Sequence, residues 1–306
     1  MDEAFAPAGA IDKQRLKALS ERSDAKGLAR LASHALALVA SGALVTAAAG
    51  TLWLPPAMLV HGIILVFLFS PLHETVHYTA FRGRRINQAV AWVCGAVLML
   101  PPEYFRAFHF GHHRDTQDLA RDPELIQPKP RTLRDYLLVL SGLPYWRERI
   151  ATTLRHAAGR IEQPFIPRRR HTAVIREARV LLAIYGAVAV LSILAENTVA
   201  LTHWVTPVIL AQPALRGFLL AEHTGCPLVP EMLENSRTTM TNAIVRWLTW
   251  NMGYHAEHHA YPALPFHALP KAHGLLAERI AVQAPGYLSV HRGLVQDLIT
   301  ARRSSG

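Results

Sequence analysis

Long apolar blocks alternate with polar, basic segments along this chain of 306 residues. The blocks cover residues 31–54, 56–72, 89–100 and 180–215, and a polar stretch at 195–198 interrupts the last one. A helix that crosses a bilayer needs about 20 mainly apolar residues. The first, second and fourth blocks therefore predict four membrane spans, with the fourth block folded as a hairpin. The third block is too short to cross, so we expect a re-entrant or interfacial helix there.

The alternative is a large soluble protein with these helices in its core. Blocks this long and nearly uncharged exceed ordinary buried helices, which favours the membrane. We expect one membrane-embedded all-α domain over residues 1–306, with about four transmembrane helices and a cytoplasmic helical cap. Within it, residues 1–30 form a cytoplasmic segment, 31–220 hold the spans, and 221–306 form a second cytoplasmic segment.

Basic residues gather at one end of the predicted spans, and the opposite connections, near 54–56 and 195–200, carry none. The basic residues are Lys13, Arg15, Lys17, Arg22, Lys26, Arg30, Arg82, Arg84 and Arg85. Positive charge marks the cytoplasmic side, so both termini and residues 73–177 should lie there, in the cytoplasmic membrane of a bacterium. The net charge of +10 suits anionic headgroups or an acidic partner protein, and we expect no nucleic acid partner.

Secretion and disulfide bonding are not predicted. The first 30 residues are charged and lack the apolar run of a signal peptide. Cys94 and Cys226 are the only cysteines, and one lies in an apolar helix, so a disulfide framework is not expected. The segment 163–171, QPFIPRRRH, is the best candidate for a hinge between the cytoplasmic part and the third span.

Histidine is abundant, with 17 copies, and eight of them fall into three clusters. The clusters are His73 and His77; His109, His112 and His113; and His255, His258 and His259. Positions three and four apart share one face of a helix, so each cluster should project its imidazoles in one direction. The predicted topology brings all three clusters to the cytoplasmic side at similar depth.

This number of imidazoles predicts a dinuclear metal site. The first cluster alone, HETVH, fits the HExxH of a zinc hydrolase, but a catalytic zinc needs only three protein ligands. Eight or nine histidines would give two metals four or five nitrogens each, which favours redox chemistry. His223, at the cytoplasmic end of the fourth span, is the ninth candidate ligand.

Residues next to the predicted ligands should orient them. Metal-bound histidines usually donate their second N–H to a carboxylate or carbonyl. The candidates for this supporting role are Glu74, Asp118, Asp122, Glu222, Trp250, Asn251 and Glu257. The histidines that we do not expect to bind metal are His34, His61, His156, His171, His203, His267, His273 and His291. The proline-rich segment 262–273 should form an irregular strap over the site.

The three clusters in this order resemble the histidine boxes of the membrane fatty acid desaturase and hydroxylase superfamily. The matching residues are HETVH at 73–77, HFGHH at 109–113 and HAEHH at 255–259, with two spans between the last two. The flanks HHRDTQDLARDPEL and WNMGYHAEHHAYPALPFHALP are also similar, and the resemblance covers residues 30–275.

The resemblance implies a non-haem centre of two irons that uses O2 and two external electrons to attack an unactivated C–H bond. It implies iron binding by all eight box histidines, and His223 matches a further histidine often found before the third box. Because the chain shows no fused cytochrome domain, the electrons should come from a ferredoxin or rubredoxin with its reductase. The expected substrate is a membrane lipid or acyl chain, held in an apolar tunnel. Its lining candidates are Trp92, Tyr104, Phe105, Trp247, Trp250 and Tyr254.

Three functions stay open at this stage. The favoured one is a fatty acid or lipid desaturase, with a hydroxylase or ketolase of a lipid, alkane, carotenoid or small amino-acid-like substrate as the alternative. The second is an intramembrane zinc metalloprotease with Glu74 as general base. The third is a metal transporter. It is disfavoured because the histidine clusters lie at the membrane edge, whereas transport sites usually lie near the midplane.

Overall fold

The computed structural model describes residues 10–304, and side chains as far as residue 300. Residues 1–9 of the predicted amino-terminal segment and residues 305–306 lie outside the described part. Within it the helices are α1 (Lys13–Leu19), α2 (Asp24–Ala47), α3 (Leu54–Val66), α4 (Phe69–His77), α5 (Arg84–Leu98), α6 (Pro102–Asp115), α7 (Leu133–Leu140), α8 (Leu143–Ala157), α9 (His171–Leu194), α10 (Thr206–Leu210), α11 (Gln212–His223), α12 (Met232–Asn235), α13 (Ala243–Leu248), α14 (His255–Ala260), α15 (Leu269–Leu276) and α16 (Tyr287–Ser304).

Four helical stretches of the described chain are long and apolar enough to cross a membrane, which confirms the predicted number of spans. They are Asp24–Ala47, Leu54–His77, Arg168–Leu194 and Leu201–His223. The second joins α3 to α4, and the fourth joins a π-helical turn, Leu201–Val205, to α10 and α11. The protein is a predominantly helical integral membrane protein.

The four spans differ in how far they are buried within the protein. Of the most apolar part of each span, 56% is buried in the second and 44% in the fourth, against 17% in the first and third, so the second and fourth are the inner spans. Side chains such as Leu36 and Ile193 on the outer spans are about 70% exposed, at 69% and 74%. Apolar surface of this kind is stable when lipid covers it. The inner spans meet closely at Gly62, where an added Cβ would clash with the carbonyl oxygen of Pro207.

The first span begins and ends earlier than the apolar block predicted. Ser23 caps α2, since its Oγ accepts a hydrogen bond from the backbone N–H of Lys26 at 3.3 Å. The chain then turns after Ala47, where Gly50 has a φ of +73°, a conformation that favours glycine. Residues 48–53, which we predicted to be within the span, therefore form the turn between the first two spans.

The third apolar block forms α5, which packs against α4 and is not among the long apolar helices, as expected for a non-spanning helix. Two three-residue strands, β1 (Arg237–Thr239) and β2 (Val282–Ala284), pair in parallel with Thr238 opposite Gln283. This small sheet was not predicted. It connects the segment before α14 to the segment before α16.

The proline-rich strap is only partly irregular. Residues 261–268 contain no regular helix, but α15 begins at Leu269, inside the predicted strap. Pro270 lies in the first turn of α15, where a missing N–H breaks no helical hydrogen bond. The strap is anchored at Phe266, which is 2% exposed.

Candidate metal centre

The histidine clusters lie on helix segments that meet at one end of the inner spans. The first cluster occupies the last turns of α4, and His223 is the last residue of α11. The second cluster ends α6, a helix that begins with Pro102 in its first turn. The third cluster forms most of the short α14, which packs against α12 and β1.

The structure brings all nine predicted ligands together, in two groups. Within each group, the candidate ligand atoms all lie within 4.8 Å of one another, and every side chain is buried. The first group is His73, His77, His109, His113 and His258; the second is His112, His223, His255 and His259. Each group could hold one metal ion.

Spacing between the ring nitrogens fits metal binding. Four pairs of Nε2 atoms lie 2.9 to 3.1 Å apart: His109 and His113, His113 and His258, His112 and His223, and His223 and His255. Two nitrogens that bind one ion at right angles, each about 2.1 Å away, would be separated by about 3.0 Å. Other buried ring nitrogens, such as Nε2 of His73, His77 and His259, have no hydrogen-bond partner in the described chain. A bound ion would satisfy them.

The imidazoles outside the spans are held in the form that binds metal. Burial lowers the pKa of His109, His113, His255, His258 and His259 well below the usual value, and their mutual repulsion adds to this. Neutral imidazole is the ligand form for iron, zinc and copper. His112 differs: burial opposes its protonation, but nearby Glu124 and Asp122 raise its pKa.

Several histidines of the second group are oriented by contacts at Nδ1, the ring nitrogen that faces away from the other histidines. His112 Nδ1 donates to Asp122 Oδ1 at 2.9 Å, and His223 Nδ1 lies 3.2 Å from the carbonyl oxygen of Asn235. His255 Nδ1 is 3.2 Å from Glu222 Oε1. Asp122 thus occupies the position expected of a supporting carboxylate, whereas Glu222 lies beside His255 without forming a hydrogen bond to it.

The other predicted supporting residues have different partners. Asp118 forms an ion pair with Arg121 at the surface. Glu257 accepts a hydrogen bond from Thr238 Oγ1 at 2.6 Å, and its other oxygen contacts His273. These contacts connect α14 to β1 and α15.

Glu74, Trp250 and Asn251 all contact the strap at residues 262–273. Glu74 Oε2 accepts hydrogen bonds from Thr79 Oγ1 at 2.7 Å and from the backbone N–H of Phe266 at 3.2 Å. Trp250 packs on the ring of Phe266, and the Asn251 side chain donates to the Phe266 carbonyl at 3.0 Å. Trp250 and Asn251 have positive φ values of 50° and 63°. The chain therefore turns at these residues, shortly before α14.

Sequence reasoning missed two polar neighbours of the second group. Thr116 Oγ1 lies 3.2 Å from His259 Nδ1, and Glu124 Oε2 lies 3.8 Å from His112 Nε2. Both belong to the stretch 113–126 that follows the second box, and Glu124 is two residues from the predicted Asp122. The acidic residues of this stretch were the sequence feature that could have indicated Glu124.

A cavity of about 680 Å³ opens beside the two groups. Its walls include His73 and His109 of the first group and His112, His223 and His255 of the second. The lining also contains two carboxylates close to the second group, Glu124 and Glu222, and a set of apolar and aromatic side chains, Phe69, Leu100, Phe105, Phe108 and Leu219. Volume and lining are those of a small-molecule site, and both histidine groups face it.

Only part of the predicted tunnel lining belongs to this cavity. Tyr104 and Phe105 line it. Trp247 instead donates its Nε1–H to Ser33 Oγ at 2.9 Å, Trp250 packs on Phe266, and Tyr254 packs against His273. The lining prediction was wrong for these three because they hold α2, the strap and α15 in place. Trp92 is half-buried on α5, outside the cavity lining.

Comparison with known proteins gives three informative relatives. Over 249 residues the chain is 23% identical to the sphingolipid delta(4)-desaturase/C4-monooxygenase of Mus musculus, covering 78% of this chain and 68% of that protein. Over 227 residues it is 26% identical to the sphingolipid delta(4)-desaturase of Drosophila melanogaster, covering 71% and 64%. A Delta(12) fatty acid desaturase of Mortierella alpina is 26% identical over 78 residues, 26% of this chain and 19% of that protein.

A family model agrees with these relatives and with the geometry. The model described as "Fatty acid desaturase" matches residues 50–291, a region that contains the inner spans and all nine histidines of the two groups. The chain belongs to the fatty acid desaturase family.

Proposed function

We propose that the protein is an O2-dependent lipid desaturase whose two histidine groups hold two irons. The observation that carries the proposal is the cavity that both groups face, whose lining includes apolar and aromatic side chains such as Phe69, Phe105 and Leu219. When bound, the irons would supply the O2 reduction that oxidises an unactivated C–H bond. All nine histidines serve as the ligands.

The protein's own residues would place the substrate and exclude water. Phe69, Phe105 and Leu219 give the inner cavity an apolar surface on which a hydrocarbon chain can lie. Holding one pair of methylenes against the histidines makes the attack effectively intramolecular. Removal of two hydrogens, with reduction of O2 to two waters, requires two further electrons and two protons.

An external protein would supply those electrons, and we propose an acidic ferredoxin or rubredoxin. Its approach is favoured by the basic residues on the side of the membrane that carries the histidines, such as Arg82 and Arg114, which are exposed. The ends of the second and fourth spans, His77 and His223, lie on the same side as Asp24 at the start of the first. We propose that this side is cytoplasmic, in a bacterial membrane.

We also propose that the chain works as a single domain. Contacts between its first and last parts support this: Tyr261 accepts a hydrogen bond from the backbone N–H of Ile11 at 3.2 Å, and Arg30 donates to the Trp247 carbonyl at 3.0 Å. The amino-terminal helices therefore hold the third-box region directly.

Hydroxylation is the alternative outcome for the same site. The name of the mouse relative couples a desaturase with a C4-monooxygenase activity, and such a choice depends on how a substrate radical is placed. A protease is disfavoured because the Glu74 carboxylate already binds Thr79 and the backbone of the strap.

Mass spectrometry of lipids and small metabolites tests the proposal. Three kinds of cells would be compared under oxygen and under nitrogen: cells with the protein, cells without it, and cells with the His109→Ala variant at equal expression. We expect an oxygen-dependent product lacking two hydrogens in the first cells only; a product with one added oxygen would assign the hydroxylase. Identical profiles in all three cell types would contradict both.

A further inference from the structure

One arginine in the cavity wall is buried without a partner. Arg149, on α8, is only 5% exposed and lines the cavity. Its guanidinium carbon lies 4.0 Å from the centre of the Tyr104 ring, and Tyr104 lines the cavity too. Apart from this ring, the guanidinium has no hydrogen-bond or ion-pair partner in the described chain, and its Nε is fully buried.

An unpaired buried charge is costly, so a charge of the opposite sign is expected beside it. The acids of the cavity do not fill this role. Glu148 accepts hydrogen bonds from Thr152 Oγ1 and Arg155 Nη2, at 2.6 and 2.7 Å. Glu124 and Glu222 lie beside histidines instead, at 3.8 Å from His112 Nε2 and 3.2 Å from His255 Nδ1. Glu162 is exposed at the rim.

The position of Arg149 gives the cavity two different ends. Tyr104, which the guanidinium covers, precedes His109 by five residues on α6, or roughly 7.5 Å along the helix axis. Around the histidines the lining combines aromatic and aliphatic side chains with two carboxylates, Glu124 and Glu222, which would repel an anionic group. A substrate with a polar end at Arg149 would thus place its hydrocarbon part against the histidines.

We propose that Arg149 binds an anionic terminal group of the substrate, a carboxylate or a phosphate, and that the substrate is therefore an anionic amphiphile. Guanidinium forms two parallel hydrogen bonds with either group, a geometry that lysine does not reproduce. The proposal rests on the proposed function, because it assigns the substrate of the same site. Arg149 is a specificity-determining residue that selects for charge at one end of the chain.

Binding by the purified, metal-loaded protein in a neutral detergent tests the proposal. The probes are palmitate, hexadecyl phosphate and methyl palmitate, which carry the two anionic groups or none on the same chain length. The variants are Arg149→Gln, Arg149→Lys and, as a matched control, Arg147→Gln, which removes an exposed positive charge from the same helix. Metal content and elution volume show whether each variant is folded.

We expect wild type and Arg147→Gln to bind at least one anionic probe at least about tenfold more tightly than the ester, the effect of charge-assisted hydrogen bonds. Arg149→Gln should bind acid and ester about equally, and Arg149→Lys should fall between. The preferred anion distinguishes a free fatty acid from a phosphorylated lipid. If Arg149→Gln does not fold, the proposal is tested by two results: the preference of wild type for an anionic probe over the ester, and a smaller preference in Arg149→Lys.

Equal affinity of wild type for all three probes, failure to bind either anion, or full selectivity in Arg149→Gln would overturn the proposal. Such a failure is separate from that of the proposed function. Iron and a dehydrogenated product without charge selectivity would refute only the role of Arg149. Charge selectivity without iron or product would refute only the desaturase.

Discussion

His112 and His113 are consecutive residues on α6, but their imidazoles join different histidine groups. His113 Nε2 lies 3.0 Å from His109 Nε2 in the first group, whereas His112 Nε2 lies 3.1 Å from His223 Nε2 in the second. Adjacent helix positions point about 100° apart, which lets one helix serve two ions side by side. The third box does the same, since His258 belongs to the first group and His259 to the second.

This division predicts that single substitutions remove one ion each. His113→Gln should weaken the first site and His112→Gln the second, so each variant should retain about one iron where wild type holds about two. Iron per chain, measured by plasma mass spectrometry on purified protein, checks this. His171→Gln is a control, since His171 belongs to neither group. Full iron content in both variants would argue against two separate sites.

Asp122 should control the affinity of the second site. Its carboxylate accepts hydrogen bonds from His112 Nδ1 at 2.9 Å and from the Gln117 backbone N–H at 2.8 Å. Loss of such a supporting contact typically costs about 10–100-fold in metal affinity. We therefore expect Asp122→Asn to lose iron to a competing chelator at about one tenth of the concentration that wild type needs, or less. Asp118→Asn, which alters a surface ion pair, should behave as wild type; equal behaviour of the two variants would remove Asp122 from the site.

Glu74 distinguishes a desaturase from a zinc protease. Because its carboxylate holds the strap through Thr79 and Phe266, Glu74→Gln should keep most of the metal and part of the desaturation rate. We expect a decrease of about tenfold, the effect of weakening a buried hydrogen bond by about 1.4 kcal/mol. Product formation per iron is the measurement. Complete inactivation with metal retained is the result expected of a general base, and it would favour the hydrolase.

Acid should destabilise the metal-free protein. Burial holds the pKa of His109, His113 and His258 well below the value of about 6.5 that applies in an unfolded chain. Between those values the unfolded chain binds more protons, so the free energy of unfolding decreases as the pH falls. The stabilisation is complete above about pH 6.5 and is lost below it.

Thermal unfolding of chelator-treated protein in detergent measures this effect. We expect a lower midpoint at about pH 5.5 than at about pH 7.5, and a smaller difference in His258→Gln, which removes one of these groups. Iron-loaded protein should shift in the same direction, because protons compete with the metal for the ring nitrogens. A midpoint that does not change with pH would show that these histidines are accessible to protons in the folded protein.

The number of membrane spans and the gathering of the nine histidines could be predicted from the sequence, because both depend on local patterns. Apolar length marks the spans, and spacing along a helix brings His73 and His77 to one face. The assignment of neighbours such as His112 and His113 to different groups did not follow. It depends on where α4, α11 and α14 stand around α6, which is a property of the packed helices.

Contacts between distant segments could also not be predicted from the sequence. Trp247 was expected in the tunnel, but its indole bonds to Ser33, which is 214 residues away. Glu124 was overlooked because its approach to His112 depends on the turn at residues 116–122. Arg149 was overlooked for a similar reason, since its burial against Tyr104 depends on α8 bringing it beside the first turn of α6.

The metal content of the purified wild-type protein tests the central claim most directly. Nine buried histidines in two groups predict about two irons per chain after expression in iron-replete cells, with little zinc. His109→Ala, purified in the same way, gives the background. One zinc per chain without iron would contradict the di-iron site.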